Sequence, residues 1–192
     1  KLNDEIEDEI EALVNGPHED IKTPVGTDVG AIIEKDGLRP YVDFIKTCVD
    51  IRFDGLKVAM DCAHGAAYKA APLALEELGA QVYVVNDEPD GTNINFKAGS
   101  THPEVVAKLV KDKGAHVGLS FDGDADRLIA TDEQGIIVDG DHIMAICGMH
   151  LKRRGLLKQN TLVATVMSNM GLEVALKAED IGMVRSAVGD RY

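Results

Sequence analysis

Nowhere in these 192 residues does an apolar run exceed a few positions, so no stretch reads as a bilayer-spanning helix. The opening residues show no basic, then apolar, then small-residue pattern, and a secretion signal is not expected. Only three cysteines occur, Cys48, Cys62 and Cys147, far apart and without CxxC spacing. That argues against a disulfide framework or a thiolate zinc site and for buried thiols in a reducing compartment, with the cytoplasm as the default. No run of Lys and Arg exceeds three residues, and the formal net charge is −13. Such a balance would repel a nucleic-acid backbone or an anionic membrane, so neither is an expected partner. A small phosphorylated ligand stays open, provided that its site is made locally positive by a cation or a few basic side chains.

What is present suits one large or two small folded domains. Apolar residues make up 45% of the chain and charged ones 28%. Leu2, Ile6, Ile10, Leu13 and Val14 recur at helical spacing and end at Asn15-Gly16-Pro17. Residues 15–37 hold no period and read as a connector. A second helix is expected after Pro40, with Tyr41, Phe44, Ile45 and Cys48 on one face. From Leu56 short apolar strands (56–62, 81–86, 115–121) alternate with helices (to Leu78, then 103–113), which predicts βαβ units and a mainly parallel sheet. Residues 128–131 and 136–138 flank a turn at Gly135 and predict a hairpin. A second passage follows: helix 141–154, strand 161–167, helix 171–178 and a short strand near 183–185. The two passages hint at a structural repeat.

The sharpest feature is Ser120-Phe121-Asp122-Gly123-Asp124-Ala125-Asp126-Arg127, directly after a predicted parallel strand. The carboxyl edge of such a sheet is where open α/β folds place ligands. In an extended loop alternate side chains point the same way, so Asp122, Asp124 and Asp126 are expected to converge. Two carboxylates ~5 Å apart repel by roughly 3 kcal/mol at an effective dielectric of ~20. Three such pairs approach the whole stability margin of a domain, ~5–15 kcal/mol. A hard divalent ion removes that penalty, and all-oxygen ligation suits Mg2+ or Ca2+. Arg127 either pins a phosphate beside the ion or pairs with one of the aspartates; spacing alone does not choose. An EF-hand register beginning at Asp122 puts Arg127 where the loop needs Gly and a strand where it needs a helix, so that reading fails.

These residues resemble the metal-binding loop of the α-D-phosphohexomutases. Further segments are similar to the family's bacterial phosphoglucosamine mutase branch: residues 58–67, 86–91, Gly99-Ser100-Thr101-His102-Pro103-Glu104, 138–141 and Val188-Gly189-Asp190-Arg191-Tyr192. The resemblance implies α/β/α layered units and a Mg2+-dependent enzyme. Its reaction would interconvert glucosamine 6-phosphate and glucosamine 1-phosphate, for cell-wall precursor synthesis, through a phosphoserine and a bisphosphate intermediate. It also implies that Asp122, Asp124 and Asp126 ligate the metal, that Arg127 contacts the phosphoserine or the transferring phosphate, and that Arg191 lines the sugar site.

The family's serine loop, of the Thr-Ala-Ser-His-Asn-Pro type, is absent. Ser100 is no substitute, because Pro103 at the first helical position, with Thr101 or His102 near the cap and Glu104 in the first turn, marks a helix entry. His64, where the family leads one to expect Asn, lies in a strand-to-helix turn and reads as structural. The chain is therefore expected to be an internal piece: residues 1–37 from the end of domain I, 38–138 as domain II, and 139–192 as the front of domain III. Alone it would be inactive and would bind metal weakly. Apolar surface on the shortened third domain would favour association of copies.

Overall fold

The computed structural model describes residues 2–17 and 22–189. The chain divides into two compact units, one of residues 1–35 with 188–192 and one of residues 36–187. In the first, helix α1 (Asp4–Asn15) begins where the Asn3 side chain accepts the Ile6 N–H at 3.0 Å. Its apolar stripe, Leu2, Ile6, Ile10, Leu13 and Val14, is exposed. The connector holds only a single 3-10 turn, Gly26–Asp28, among the described residues.

The second unit opens with α2 (Leu38–Lys46), three residues earlier than predicted. Asp36 starts it by accepting the Leu38 and Arg39 N–H groups. Pro40 sits in the first turn, where its missing N–H breaks no helical bond. The face also differs from expectation: Val42 is the buried residue, while Tyr41 and Phe44 are exposed. Ion pairing accounts for part of this orientation, because Arg39 and Lys46 both reach Glu77 on the helix Ala67–Glu77.

The remaining elements are β1 (Lys57–Asp61), α3 (Ala67–Glu77), β2 (Gln81–Val85), α4 (Glu104–Lys113), β3 (Val117–Phe121), β4 (Leu128–Asp132), β5 (Ile137–Val138), α5 (Gly140–Arg153), β6 (Thr161–Thr165), α6 (Met170–Ala178) and β7 (Gly182–Ser186). Five strands form one sheet in the order β2-β1-β3-β4-β5, with β1 parallel to β2 and β3, and β4 antiparallel to β3 and β5. The sheet is thus mixed, with a parallel core. Strand β1 is buried along nearly its whole length and reads as an apolar run for that reason.

Helices cover both faces. Met60 packs with Cys62 and Ala67 on the α3 side, whereas its neighbour Ala59 packs with Val106, Val110 and Ala115 on the α4 side. On the latter side α4 lies so close that a Cβ on Gly118 would come within 2.8 Å of Val110. The chain therefore leaves β1 over one face to reach β2, then crosses the other face to reach β3 on the far side of β1. The strand order reverses between β1 and β3, and their carboxyl ends form a topological switch point.

A 3-10 turn, Gly99–Thr101, leads into α4, and Pro103 lies just before the first helical residue. No side chain caps this helix; His102 pairs instead with Glu104 at 2.9 Å. The predicted hairpin is β4–β5, with Asp132 Oδ1 accepting the Gln134 and Ile136 N–H groups across Gly135. The second passage is a parallel β6–α6–β7 crossover whose core joins Ala164, Leu172, Leu176 and Ile181, with Met144 and Met149 of α5 against it. Among the described residues no helix is long and apolar enough to cross a membrane.

Candidate metal centre

The acidic loop, residues 122–127, joins β3 to β4 and sits at the switch point. Its base is closed by the Phe121–Leu128 pair of the ladder and by the Asp122 N–H bond to Arg127 O at 3.3 Å. It is a hairpin loop and not the extended segment expected from sequence. Ala125 N–H donates to Asp122 O at 3.1 Å, and Ala125 adopts φ +62°. Convergence of the three carboxylates thus comes from a tight turn and not from strand-like alternation. A left-handed Ala costs about 1–2 kcal/mol, so the surrounding contacts must hold it there.

They do so at close range. One oxygen from each of Asp122, Asp124 and Asp126 lies within 4.8 Å of the others. Asp122 is buried and the other two are exposed. Two oxygens bound to one hard cation at 2.0–2.6 Å are no more than about 5 Å apart, so the trio fits such an ion. The electrostatics carry the mark of crowding. Asp126 is held above its ordinary carboxyl range by a hydrogen bond shared with Asp122 and by the charge of Asp124. Burial pushes Asp122 up, but the Arg127 N–H and guanidinium, together with Asp126, outweigh it and hold this carboxyl below its usual range.

Arg127 pairs with Asp122 through Nε at 2.8 Å and lies 3.5 Å from Asp126. Its side chain is 74% exposed, and Nε alone makes these contacts, which leaves both Nη groups outside the pairing with the aspartates. Pairing and phosphate contact, alternatives in the sequence, are thus compatible in one side chain. The helix that an EF-hand needs before its loop is replaced by strand β3. Arg191 lies outside the described residues.

Neighbouring segments press on the loop and on the end of β3. A Cβ on Gly65 would come 2.2 Å from Gly123 O, and one on Gly123 would meet Ile94 and Asn95 at 2.7 Å. A Cβ on Gly99 would lie 2.2 Å from Phe121 O. Ala66 N–H donates to Gly123 O at 2.8 Å. His64 stands at φ +49°, a region that His and Asn tolerate better than most residues, and its Nδ1 accepts the Glu88 N–H. A cavity of 640 Å³ under α3 touches the loop at Asp124 and Ala125, but its lining has no cation and offers nothing to a phosphate.

A mixed α/β/α sheet with a three-carboxylate, arginine-bearing loop at its switch point is an arrangement that can accept a hard cation next to an anionic ligand. The chain belongs to the phosphoglucomutase/phosphomannomutase family: residues 39–135 match its alpha/beta/alpha domain II and residues 139–192 its alpha/beta/alpha domain III. Among curated proteins it is 56% identical over 193 residues to the phosphoglucosamine mutase of Alkaliphilus metalliredigens and 55% identical over 194 residues to that of Alkaliphilus oremlandii. A third phosphoglucosamine mutase, from Clostridium botulinum, is 50% identical over 194 residues. Each alignment covers 100% of this chain and 43% of the relative, so the chain spans less than half the length of these proteins. A crystal structure of a phosphoglucomutase/phosphomannomutase family protein from Burkholderia thailandensis superposes with a TM-score of 0.73 at 22% identity, over 98% of this chain and 40% of that one, and bears on the fold alone.

Proposed function

We propose that these residues form the metal-holding part of a phosphoglucosamine mutase that interconverts glucosamine 6-phosphate and glucosamine 1-phosphate in the cytoplasm. The observation that carries the reading is the convergence of Asp122, Asp124 and Asp126 within 4.8 Å at the switch point. Those three side chains would hold Mg2+, which when bound offsets negative charge on a transferring phosphoryl group. Arg127 keeps Asp122 oriented through Nε and turns its free Nη pair toward the phosphate, a fork suited to bidentate contact. Arg191 would line the sugar site. In this reading the phosphoserine that exchanges phosphoryl groups with the sugar comes from outside these 192 residues, the domains divide near residues 37 and 138, and the chain alone has no mutase activity. The basic and metallic charge at the loop also reconciles a net charge of −13 with a phosphorylated substrate.

Titration of the chain with Mn2+, followed by electron paramagnetic resonance, tests the metal reading. Binding at one site, weakened at least tenfold by Asp124→Asn or Asp126→Asn, is expected. Binding that survives both substitutions would remove the assignment. Turnover of glucosamine 6-phosphate by the pure chain would contradict the expectation that the phosphoserine is supplied from elsewhere. In the full-length protein, preference for mannose or glucose phosphates over glucosamine phosphate would move the substrate within the family.

A further inference from the structure

Asp61, at the carboxyl end of β1, is completely buried, and both carboxylate oxygens are engaged. Oδ1 accepts the Ala63 N–H at 2.8 Å and Oδ2 accepts the Asn86 side-chain amide at 2.9 Å. Between these anchors the chain does something costly. Ala63 and His64 stand in succession at φ +53° and +49°, and Asn86 at the end of β2 is at +53°. Left-handed residues other than Gly are strained and persist only where their surroundings over-determine them. Here the surroundings are specific: His64 N–H donates to Asn86 O at 2.6 Å, and Asn95 N–H donates to Ala63 O at 2.9 Å.

The bent segment abuts the acidic loop. Two residues past His64, Ala66 N–H donates to Gly123 O, and Gly65 lies against the same carbonyl with no room for a side chain. Asn95 also crowds Gly123, where an added Cβ would come 2.7 Å from its side-chain amide. Gly123 separates Asp122 from Asp124, so a shift of the 63–66 turn moves the backbone that sets the distance between two of the three carboxylates. Asp61 reaches no carboxylate of the loop directly. Its influence runs through Ala63 and Asn86 to the turn, and from the turn to Gly123.

We infer that Asp61, with Asn86, is a positioning residue that locks the Ala63–Ala66 turn onto Gly123 and so holds Asp122, Asp124 and Asp126 at cation-binding separation. This rests on the metal reading of the loop. Groups behind the ligands of a metal site typically change affinity by 10–100-fold when altered.

The test is Mn2+ titration by electron paramagnetic resonance, with hydrogen exchange of the Ala66 amide as a second readout. Asp61→Asn should weaken Mn2+ binding about tenfold and speed Ala66 exchange, while amides in α6 keep their protection. The reciprocal pair Asp61→Asn with Asn86→Asp leaves an oxygen at position 61 to accept the Ala63 N–H and restores the 61–86 hydrogen bond with donor and acceptor reversed, and should return affinity to within about threefold of the unsubstituted chain. Should Asp61→Asn fail to fold, Asn86→Ala provides the same comparison with a smaller loss. Unchanged Mn2+ affinity in Asp61→Asn, or no recovery in the reciprocal pair, overturns the role. No Mn2+ binding by the unsubstituted chain would sink the metal reading and this role together, whereas binding that ignores Asp61 would sink the role alone.

Discussion

The crossovers β1–α3–β2 and β6–α6–β7 are built alike and differ in what leaves their first strands. After β6, the segment Val166–Asn169 is conventional. Val166 N–H pairs with Ser186 O, Asn169 caps α6 by accepting the Leu172 N–H, and Arg185 donates to Ser168 O. None of these four residues has positive φ. After β1, two consecutive non-Gly residues are left-handed, and the turn is pressed onto a neighbouring loop. One architecture therefore carries two kinds of edge, and the proposed metal centre lies beside the strained one.

Four experiments probe that contrast. The largest effect on stability is expected from Leu176→Ala, which empties a fully buried site in the second crossover and should cost about 2–5 kcal/mol in urea unfolding. Its Mn2+ affinity should not change; a parallel loss would show that the two edges are coupled. Gly65→Ala should cost less, about 1–3 kcal/mol, yet weaken Mn2+ binding more than tenfold, because its Cβ displaces Gly123. Asp126→Asn should have a small effect of opposite sign: in EDTA its melting temperature should equal or slightly exceed the parent value, since crowding among the carboxylates is relieved.

The smallest effect lies away from both edges, at Glu77. Hydrogen bonds from Arg39 and then Lys46 hold this carboxyl at about 2, against an ordinary 4.5. A depressed folded value contributes stability that is present above pH 4.5 and lost as pH falls toward 2. Glu77→Gln should therefore flatten the acid limb of an unfolding-versus-pH curve in that window and lower stability modestly at neutral pH. An unchanged acid limb would mean that the two cations do not hold α2 against α3.

The periodic parts of this molecule were legible and the interlocking parts were not. Strands β1 to β3 announced themselves as short apolar runs, and Gly135 marked the β4–β5 turn. The acidic loop stood out because alternating Asp residues after a strand are costly without a purpose. The face of α2 was misjudged, since Tyr41 and Phe44 suggested burial by their apolarity while Val42 took the interior. The antiparallel return of β4 was also missed, and with it the hairpin nature of the loop. The contacts that position the loop were invisible for a physical reason. Asp61 and Asn86 are 25 residues apart in sequence, and Gly65 meets Gly123 across a still longer stretch. Ala63 and Ala125 give no sign in their identity that they are left-handed.

The closed base of the acidic hairpin has a spectroscopic consequence. Protein hydrogen bonds alone hold Phe121 beside Leu128 and Asp122 beside Arg127, so the ends of this segment meet without help from a ligand. Capture of the proposed ion would then require no new backbone order. Far-ultraviolet circular dichroism should be superimposable in EDTA and at saturating Mg2+, and exchange of the ion should be quick compared with unfolding.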